Sequence, residues 1–331
     1  MTLKQLQNLR VIDEDITHEG YGLPYDKRSV EQLLDYGFIL LDKPNGPTSH
    51  ETVAWVKKIL NLSKAGHSGT LDPQVSGVLP IGLGEATKAL IVLLLGPKEY
   101  HALGRLHTLP SNEKLQAVLK EFTGKIYQKP PQRSSVSRQT RVRNIYQIEI
   151  IEQKERLVLL KILCEAGTYV RKIIYDMGEV LGSGATMIEL RRTRVAQFNE
   201  DSLVKMHDLL DAYARWKEKR DDSKLKRMIM PIEYTLSEIK SVMIRDSTVD
   251  ALCHGAQLAI PGILRISPNI AKGDLVGIYT QKGEIVALAE AILSESEIVE
   301  NTKGFAFRTK RIIMAPNTYP KHWRSKTVIN T

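Results

Sequence analysis

Residues 66–79 constrain the fold most, because glycine, aspartate and proline occur close together there. The stretch reads G-H-S-G-T-L-D-P-Q-V-S-G-V-L and leads from a basic segment into an apolar run. Its three glycines permit backbone conformations and close approaches that a Cβ would block. Pro73 fixes its own φ and disfavours the helical region at Asp72. We therefore expect a stiff turn that presents the Asp72 carboxylate, and the alternative is an ordinary structural Asx turn.

Local patterns predict the elements around this turn. Thr48 or Ser49 is expected to cap a helix that precedes it. An apolar strand at 78–83 and a short apolar helix at 86–95 should follow it. Further along, the pattern predicts a helix over residues 169–181, and glycines close that helix.

Several further motifs accompany this stretch, in a fixed order along nearly the whole chain. They are L-D-K-P-N-G-P-T-S at 41–49, K-E-Y at 98–100, I-Y-Q-K-P-P at 126–131, C-E-A-G-T-Y-V-R-K at 164–172, E-L-R-R-T-R at 189–194 and A-P-N-T-Y-P-K-H-W at 315–323. Together with G-H-S-G-T-L-D-P they resemble the TruB family of pseudouridine synthases. Within that family the chain resembles the archaeal homologues of dyskerin, the catalytic protein of H/ACA ribonucleoproteins.

The resemblance implies an α+β fold in two main domains. A catalytic domain with a mixed, largely antiparallel sheet and flanking helices is expected at 26–235. A small β-barrel-like PUA domain, which binds RNA, is expected at 240–331, with an N-terminal extension at 1–25 packed on it. The residues themselves agree with a small β domain after 242, because short apolar runs alternate there with glycine and proline turns.

Composition restricts the class of protein. The chain has 331 residues, of which 42% are hydrophobic, so it is long enough for two domains with a sizeable core. Its apolar runs are too short to cross a bilayer, and its N-terminus has no signal-peptide pattern. Two cysteines are too few for a disulfide framework or a cysteine-rich zinc site. We therefore expect a cytoplasmic protein with no membrane contact and no metal. The reaction that the resemblance implies also needs no cofactor.

The positive charge is unevenly distributed. The net charge is +9, yet residues 122–148 and 303–331 contain no acidic residue at all. Ordinary solvated faces intersperse both signs, so these zones predict two places where a phosphate backbone lies. The resemblance implies that a thumb-like loop at 133–143 closes over the substrate strand. The RNA-binding candidates are Arg133, Arg138, Arg141, Arg143, Arg308, Lys310 and Arg311.

The chemistry that the resemblance implies suits Asp72. Uridine becomes pseudouridine when the base is detached from C1′, rotated and reattached through C5, without a redox step. The reaction needs a nucleophile or base at the junction of sugar and base. Aspartate titrates near pH 3.9 and is therefore ionised at neutral pH. The residues leave open whether it attacks the sugar or the base, or whether the route passes through a glycal.

Further site residues follow from the resemblance. Arg171 matches the arginine that keeps the carboxylate ionised, and Tyr100 matches the tyrosine that stacks on the flipped base and acts in proton transfer. Tyr169 and Leu190 match substrate-pocket residues. His67 is the expected remaining polar contact to RNA. Each residue also has a structural alternative. Arg171 could be a surface arginine and His67 a turn histidine, and the alternative for Tyr100, Tyr169 and Leu190 is a place in the core.

The expected function is RNA-guided formation of pseudouridine in rRNA, and also in tRNA, by the catalytic subunit of an archaeal H/ACA particle. The implied partners are an H/ACA guide RNA, the substrate RNA, a small protein bound to the catalytic domain, a glycine/arginine-type β-barrel protein and a kink-turn-binding ribosomal-type protein. Two alternatives stay open. One is a stand-alone tRNA pseudouridine-55 synthase of the TruB type, and the other is a non-catalytic RNA-binding scaffold.

Overall fold

A computed structural model describes residue 6, residues 8–129 and residues 139–321. The helices in this part of the chain are α1 (Val30–Tyr36), α2 (Ser49–Ile59), α3 (Ile91–Leu95), α4 (Asn112–Glu121), α5 (Val170–Leu181), α6 (Met206–Lys219), α7 (Ser223–Met228), α8 (Asp246–Cys253) and α9 (Glu295–Glu300). The strands are β1 (Arg10–Val11), β2 (Gly37–Lys43), β3 (Ala65–His67), β4 (Val75–Leu83), β5 (Lys98–Leu106), β6 (Gly124–Gln128), β7 (Arg141–Lys154), β8 (Leu157–Cys164), β9 (Ala185–Val195), β10 (Met230–Pro231), β11 (Lys240–Ile244), β12 (Leu258–Ala259), β13 (Ile263–Ile266), β14 (Leu275–Tyr279), β15 (Ile285–Ala291) and β16 (Phe305–Ile312).

Contacts between residues divide the chain into two compact units. The terminal unit comprises Met1–Phe38, Gly82–Val92 and Asp222–Thr331, and the central unit comprises Ile39–Ile81 and Leu93–Asp221. Each unit is therefore assembled from segments that are distant in sequence. The predicted domain boundaries at residues 25, 235 and 240 stay predictions, because the two units consist of interleaved segments and do not divide the chain at single points.

The central unit is built on a mixed sheet. Its strand order is β2-β4-β9-β5-β8-β7-β6, and β3 pairs with β4. Strands β4 and β9 run parallel, whereas β5 is antiparallel to both β8 and β9, and β7 is antiparallel to β6 and β8. The predicted α+β fold with a mixed, largely antiparallel sheet is confirmed.

One face of this sheet packs against α5. Strand β8 alternates strictly between buried and partly exposed residues, as period two requires of a strand with one face in the core. Helix α5 buries Val170, Ile173, Ile174 and Met177 in the same cluster as the inward residues of β8. It ends at Gly182, whose φ of +81° is the left-handed conformation that glycine adopts at low cost. The core thus fixes the start of α5 close to the sheet.

The stretch predicted as one apolar helix at 86–95 is divided. A 3-10 turn covers Gly84–Lys88, and only Ile91–Leu95 is α-helical. Gly84 has φ of +52°, and a Cβ there would lie 2.0 Å from Oδ1 of Asp35. The Glu85 N–H donates to that same oxygen at 3.2 Å. This close approach to α1 lies at the start of the 3-10 turn, directly before the segment that was predicted to be helical.

The terminal unit contains a second sheet. Its strand order is β1-β13-β11-β14-β15-β16-β12, in which β11 and β14 run parallel and the other pairs with a known register are antiparallel. The N-terminal segment joins this unit through β1. The Leu23 N–H also donates to Glu284, whose carboxylate accepts a second hydrogen bond from the Tyr319 hydroxyl at 2.8 Å. Burial raises the pKa of Glu284 above its ordinary value.

In the described ranges, every helix is too short or too polar to pass through a bilayer.

Candidate active site

The turn between β3 and β4 carries Asp72 at its exposed tip. Leu71, directly before it, is 3% exposed and is held by Ser49. The Ser49 hydroxyl donates to the Leu71 carbonyl at 2.9 Å and accepts from the Leu71 N–H at 2.8 Å. Thr48 serves as the cap of α2 through a reciprocal capping box with Glu51. Ser49 is therefore available to fasten the turn, which resolves the choice between the two candidate caps.

Lys43 braces the turn from a second direction. Its side chain is fully buried, and its ammonium donates to the carbonyls of Pro44, Pro73 and Val75 at 2.9, 3.2 and 2.9 Å. Burial lowers the pKa of Lys43. Because Pro73 and Val75 lie within three positions after Asp72, this single ammonium fixes the backbone that follows the tip of the turn. The L-D-K-P motif contained this residue, but nothing in the sequence indicated its contacts.

Two glycines of the stretch meet real steric limits. Gly69 has φ of +80°, and a Cβ there would lie 3.2 Å from Nη1 of Arg192. Gly77 has φ of +102°, and its Cβ would lie 2.2 Å from the Arg192 carbonyl oxygen. Gly66 lies in β3 outside the left-handed region. Gly69 and Gly77 both have positive φ and lie against Arg192 of β9, so a larger residue at either position would be strained.

Asp72 and Arg171 form an ion pair, as the sequence interpretation expected. Nη2 of Arg171 lies 2.9 Å from Oδ2 of Asp72, although the residues are 99 positions apart. The side chains are 62% and 53% exposed, so both groups are open to solvent. Exposed ion pairs contribute little to stability. The braced turn, rather than the arginine, therefore holds Asp72 in place.

Gln128 positions the start of the helix that carries Arg171. Its amide oxygen accepts from the Tyr169 N–H at 2.9 Å, and its amide nitrogen donates to the Tyr169 carbonyl at 3.1 Å. Gln128 is 2% exposed, and Tyr169 itself provides no side-chain cap for α5. The sequence analysis missed this residue. Its only signal was a glutamine at the end of a strand within the I-Y-Q-K-P-P motif.

Tyr100 lies opposite Arg192 on neighbouring strands. The two residues are register partners between β5 and β9, and Tyr100 is half-buried. Burial raises the pKa of Tyr100, and the charge of the Arg192 guanidinium opposes this rise. Arg192 is 1% exposed and also donates to the carbonyls of Val78 at 2.8 Å and Gly69 at 3.0 Å. One buried arginine thus connects Tyr100 to the turn, and the sequence analysis missed it.

His67 and Leu190 lie on either side of the turn. The His67 ring meets His50 edge-on, with 5.0 Å between ring centroids, and its nitrogens have no hydrogen-bond partner among the described residues. Burial lowers the pKa of His67, so the ring is mainly neutral at pH 7. Leu190 is 7% exposed, pairs in register with Val75 and belongs to the cluster that contains Leu71. Leu190 is therefore part of the apolar cluster on which the turn packs.

The first basic zone is only partly described. Arg133 and Arg138 lie outside the described residues. Arg141 and Arg143 begin β7 and are half-buried. Arg143 forms an ion pair with Glu165 at 3.4 Å, so its charge is already engaged by the protein.

The second basic zone coincides with β16. Arg308, Lys310 and Arg311 are exposed on this strand. Lys310 pairs with Glu290 at 2.7 Å, and this contact lowers the pKa of Glu290. The strand therefore presents a row of cations with one nearby carboxylate.

Other reactive groups are few in the described ranges. No group of three or more histidine, cysteine, aspartate or glutamate side chains there could hold a metal ion. Burial raises the pKa of both Cys164 and Cys253 to about 12, which makes these thiols poor nucleophiles. Asp72 is the best-presented nucleophile of the braced site.

Four family models match the chain in succession. The DKCLD (NUC011) domain matches residues 1–53, and the N-terminal domain of TruB family pseudouridylate synthases matches residues 57–170. The tRNA pseudouridylate synthase B C-terminal domain matches residues 171–237, and the PUA domain matches residues 240–313. Asp72 and Tyr100 fall in the second match, and Arg171 opens the third.

Individual proteins are similar over nearly the full length. The probable tRNA pseudouridine synthase B of Methanopyrus kandleri is 50% identical over 311 residues, which cover 94% of this chain and 92% of the relative. The protein of the same name from Methanocaldococcus jannaschii is 47% identical over 320 residues, with 97% and 95% covered. Among solved structures, a chain of an H/ACA RNP bound to a substrate RNA containing 2'-deoxyuridine is 46% identical with a TM-score of 0.88, and 96% of this chain and 97% of that chain are covered. A chain of a Cbf5-Nop10-Gar1 complex is 47% identical with a TM-score of 0.89, with 95% and 96% covered. The protein therefore belongs to the TruB family of pseudouridine synthases, as an RNA-modifying isomerase that carries DKCLD and PUA domains.

Proposed function

We propose that this pseudouridine synthase acts on rRNA and tRNA as the catalytic subunit of an H/ACA ribonucleoprotein, with Asp72 as its nucleophile or base. The observation that carries the catalytic assignment is the Asp72 turn. Its backbone is braced by Ser49, Lys43 and Arg192, yet its carboxylate stays exposed beside Arg171. A carboxylate that is rigidly presented and accessible suits attack on a nucleotide that has left its stack.

The neighbouring residues supply the other requirements of the reaction. Arg171 orients the carboxylate through its contact with Oδ2. Tyr100 offers an aromatic face to the flipped base and a hydroxyl for proton transfer. The apolar cluster with Leu190 supports this face from below. No cofactor is required, because isomerisation moves the base without a change in oxidation state.

Guidance by RNA is supported by the domains and by the relatives. The DKCLD and PUA matches lie outside the catalytic matches and provide surface for a second RNA. Similar chains occur in complexes with Nop10, with Gar1 and with substrate RNA. The proposed partners on this ground are an H/ACA guide RNA, a small Nop10-type protein and a Gar1-type protein. A kink-turn-binding ribosomal-type protein is proposed from the sequence resemblance alone. The cations of β16 would hold the guide, and the loop at 133–143 would meet the substrate strand.

A second candidate is a stand-alone enzyme that modifies tRNA without a guide. It is favoured by the name probable tRNA pseudouridine synthase B, which relatives from several archaea carry. A non-catalytic scaffold is disfavoured, because a scaffold does not need the Asp72–Arg171 pair on a braced turn.

A reconstitution experiment separates these functions. The purified chain is given an unmodified tRNA transcript, or an rRNA fragment with a matching guide RNA, each with and without the partner proteins. Pseudouridine is measured by nuclease digestion and mass spectrometry, with Asp72→Asn as the inactive reference. We expect the rRNA fragment to be modified only when guide and partners are present. Equal modification of tRNA by the chain alone would favour the stand-alone enzyme, and RNA binding without product in any mixture would favour the scaffold.

A further inference from the structure

Two buried cations lie beneath the Asp72 turn without an acidic partner. Arg192 donates to the carbonyls of Gly69 and Val78. Lys98 is 4% exposed, and its ammonium donates to three carbonyls near the end of α3 at 2.6–3.0 Å. Within the described part of the chain, neither residue forms an ion pair with a carboxylate. Their hydrogen bonds are satisfied, but their charges are not neutralised.

Both cations lie directly against the turn. A Cβ built on Gly69 would be 3.2 Å from Nη1 of Arg192 and 3.8 Å from Cε of Lys98. Burial lowers the pKa of Lys98 to about 8, and the charge of Arg192 contributes to the same direction. Arg192 also opposes the rise in the pKa of Tyr100 that burial causes. These effects report a positive potential under the site that favours anions and disfavours further cations.

The burial of two cations without a carboxylate partner lowers the free energy of unfolding. A buried charge without an opposite charge is unfavourable, because carbonyl dipoles replace only part of the hydration it loses. In a water-poor interior the same charge acts strongly on neighbouring groups. A cation placed in advance where negative charge develops during a reaction stabilises the transition state without reorganisation. The arrangement is therefore explained if an anion forms above it.

We propose that Arg192, supported by Lys98, is a positioning residue for the isomerisation that holds Tyr100 and the Asp72 turn together and stabilises the uracil anion released during the reaction. The inference rests on the proposed function, with cleavage of the glycosidic bond as a step. When C1′–N1 breaks, its electron pair stays on the base, which becomes an anion. The sugar carbon is captured by the Asp72 carboxylate, or a glycal forms by loss of the 2′ hydrogen to a base. A new C1′–C5 bond then forms, the sugar returns to its original state, C5 loses its proton and N1 gains one, so that product and substrate contain the same atoms.

The acidity of the leaving base provides the test. Single-turnover rates are measured in the reconstituted particle with uridine or 5-fluorouridine at the target position. Because a C5 that carries fluorine has no proton to lose after the new C1′–C5 bond forms, the loss of the starting nucleoside is followed for both bases by nuclease digestion, chromatography and mass spectrometry. Fluorine stabilises the base anion by withdrawing electrons, so its departure depends less on the protein. For Arg192→Met we expect a loss of about 100-fold with uridine and about 10-fold or less with fluorouridine. Arg192→Lys keeps the charge, so its single-turnover rate should fall by the same factor with both bases.

Arg191→Met is the matched control. Arg191 is the neighbouring residue on β9, and its partners are Asp42, Glu200 and the hydroxyl of Ser76 in β4 rather than the turn itself. Its substitution should change both rates by less than about 3-fold, which separates the effect of the charge from damage to the strand.

Each outcome decides the inference. Equal losses with both bases in Arg192→Met, or no loss, would overturn it. Should Arg192→Met not fold, Lys98→Met takes its place, because it leaves the contacts of Arg192 intact. In Lys98→Met, the ratio of the uridine rate to the fluorouridine rate should fall by about 3-fold. An unchanged ratio would overturn the inference. A wild-type particle that forms no pseudouridine would refute the proposed function and this inference with it, whereas equal losses in an active particle refute the inference alone.

Discussion

Two arginine–carboxylate pairs, one in each compact unit, are built in opposite ways. In the terminal unit, Arg28 and Glu233 form two parallel contacts of 2.8 and 2.7 Å, and their side chains are 7% and 0% exposed. Glu233 also accepts from the Ile285 N–H at 3.1 Å. In the central unit, Asp72 and Arg171 share one contact, and more than half of each side chain is exposed.

The difference separates stability from function. A buried charge that loses its partner destabilises the fold strongly, so the terminal pair is a structural element. An exposed pair contributes little to folding, and its groups remain free to exchange partners when a substrate binds. The central unit therefore fixes the Asp72 backbone by buried hydrogen bonds from Ser49 and Lys43 and leaves the carboxylate open.

The largest effect is expected from Asp72→Asn, which tests the exposed pair. Loss of a nucleophile or base should lower pseudouridine formation about 10⁴-fold or more. The thermal midpoint should stay within about 2 °C, because the turn is held by its backbone. Asp176→Asn is the control, since Asp176 lies on α5 in a comparable pair with Lys172 at 2.7 Å. Substantial activity in well-folded Asp72→Asn protein would contradict the catalytic assignment.

Glu233→Gln tests the buried pair and should have the opposite profile. It leaves the Arg28 charge buried without its partner, so the free energy of unfolding should fall by about 3–5 kcal/mol. Activity per folded molecule should be retained. Denaturant titration of Glu233→Gln beside Glu238→Gln, an exposed control, measures the difference. A loss below about 1 kcal/mol would show that the buried pair is not a stability element.

The contribution of the unpaired Lys98 to the free energy of unfolding should depend on pH. Its folded pKa of about 8 lies below the ordinary value of 10.5, so between these pH values the unfolded chain binds more protons than the folded chain. Stability from this group therefore rises with pH across that window, by up to about 3 kcal/mol. We expect wild-type protein to gain this much relative to Lys98→Met between pH 8 and 10.5. A constant or falling difference would contradict the buried, unpaired charge.

The smallest effect concerns charges that are exposed in the terminal unit. The exposed basic residues of β16 are Arg308, Lys310 and Arg311. Their replacement by glutamine should weaken guide RNA binding about 10-fold and reduce the slope of log K against log salt by about 2–3, because fewer counterions are released. The control replaces three exposed basic residues of α7, namely Lys224, Lys226 and Arg227. Equal effects of both triple variants would show that β16 has no special role.

Much of the site was predictable because its motifs are local and specific. The Asp72–Pro73 turn and the helix after Gly167 follow from short patterns, and Tyr100 and Arg171 follow from the family motifs. The residues that hold them in place could not be predicted in this way. Gln128 acts on Tyr169 from 41 positions away, and its contacts are made to backbone atoms that carry no sequence signature.

The sequence by itself determined the local elements and the family, because capping, period-two burial and glycine turns depend on neighbours a few residues apart. The Thr48–Glu51 capping box and the alternation of β8 are examples. Only the tertiary structure decided that Ser49 and Lys43 fasten the Asp72 turn, that the 86–95 segment divides into the end of a 3-10 turn and a short helix, and that Arg192 reaches Gly69 across 123 positions. A hydrogen bond between distant segments depends on how the chain packs, and packing is a property of the whole fold rather than of any one stretch.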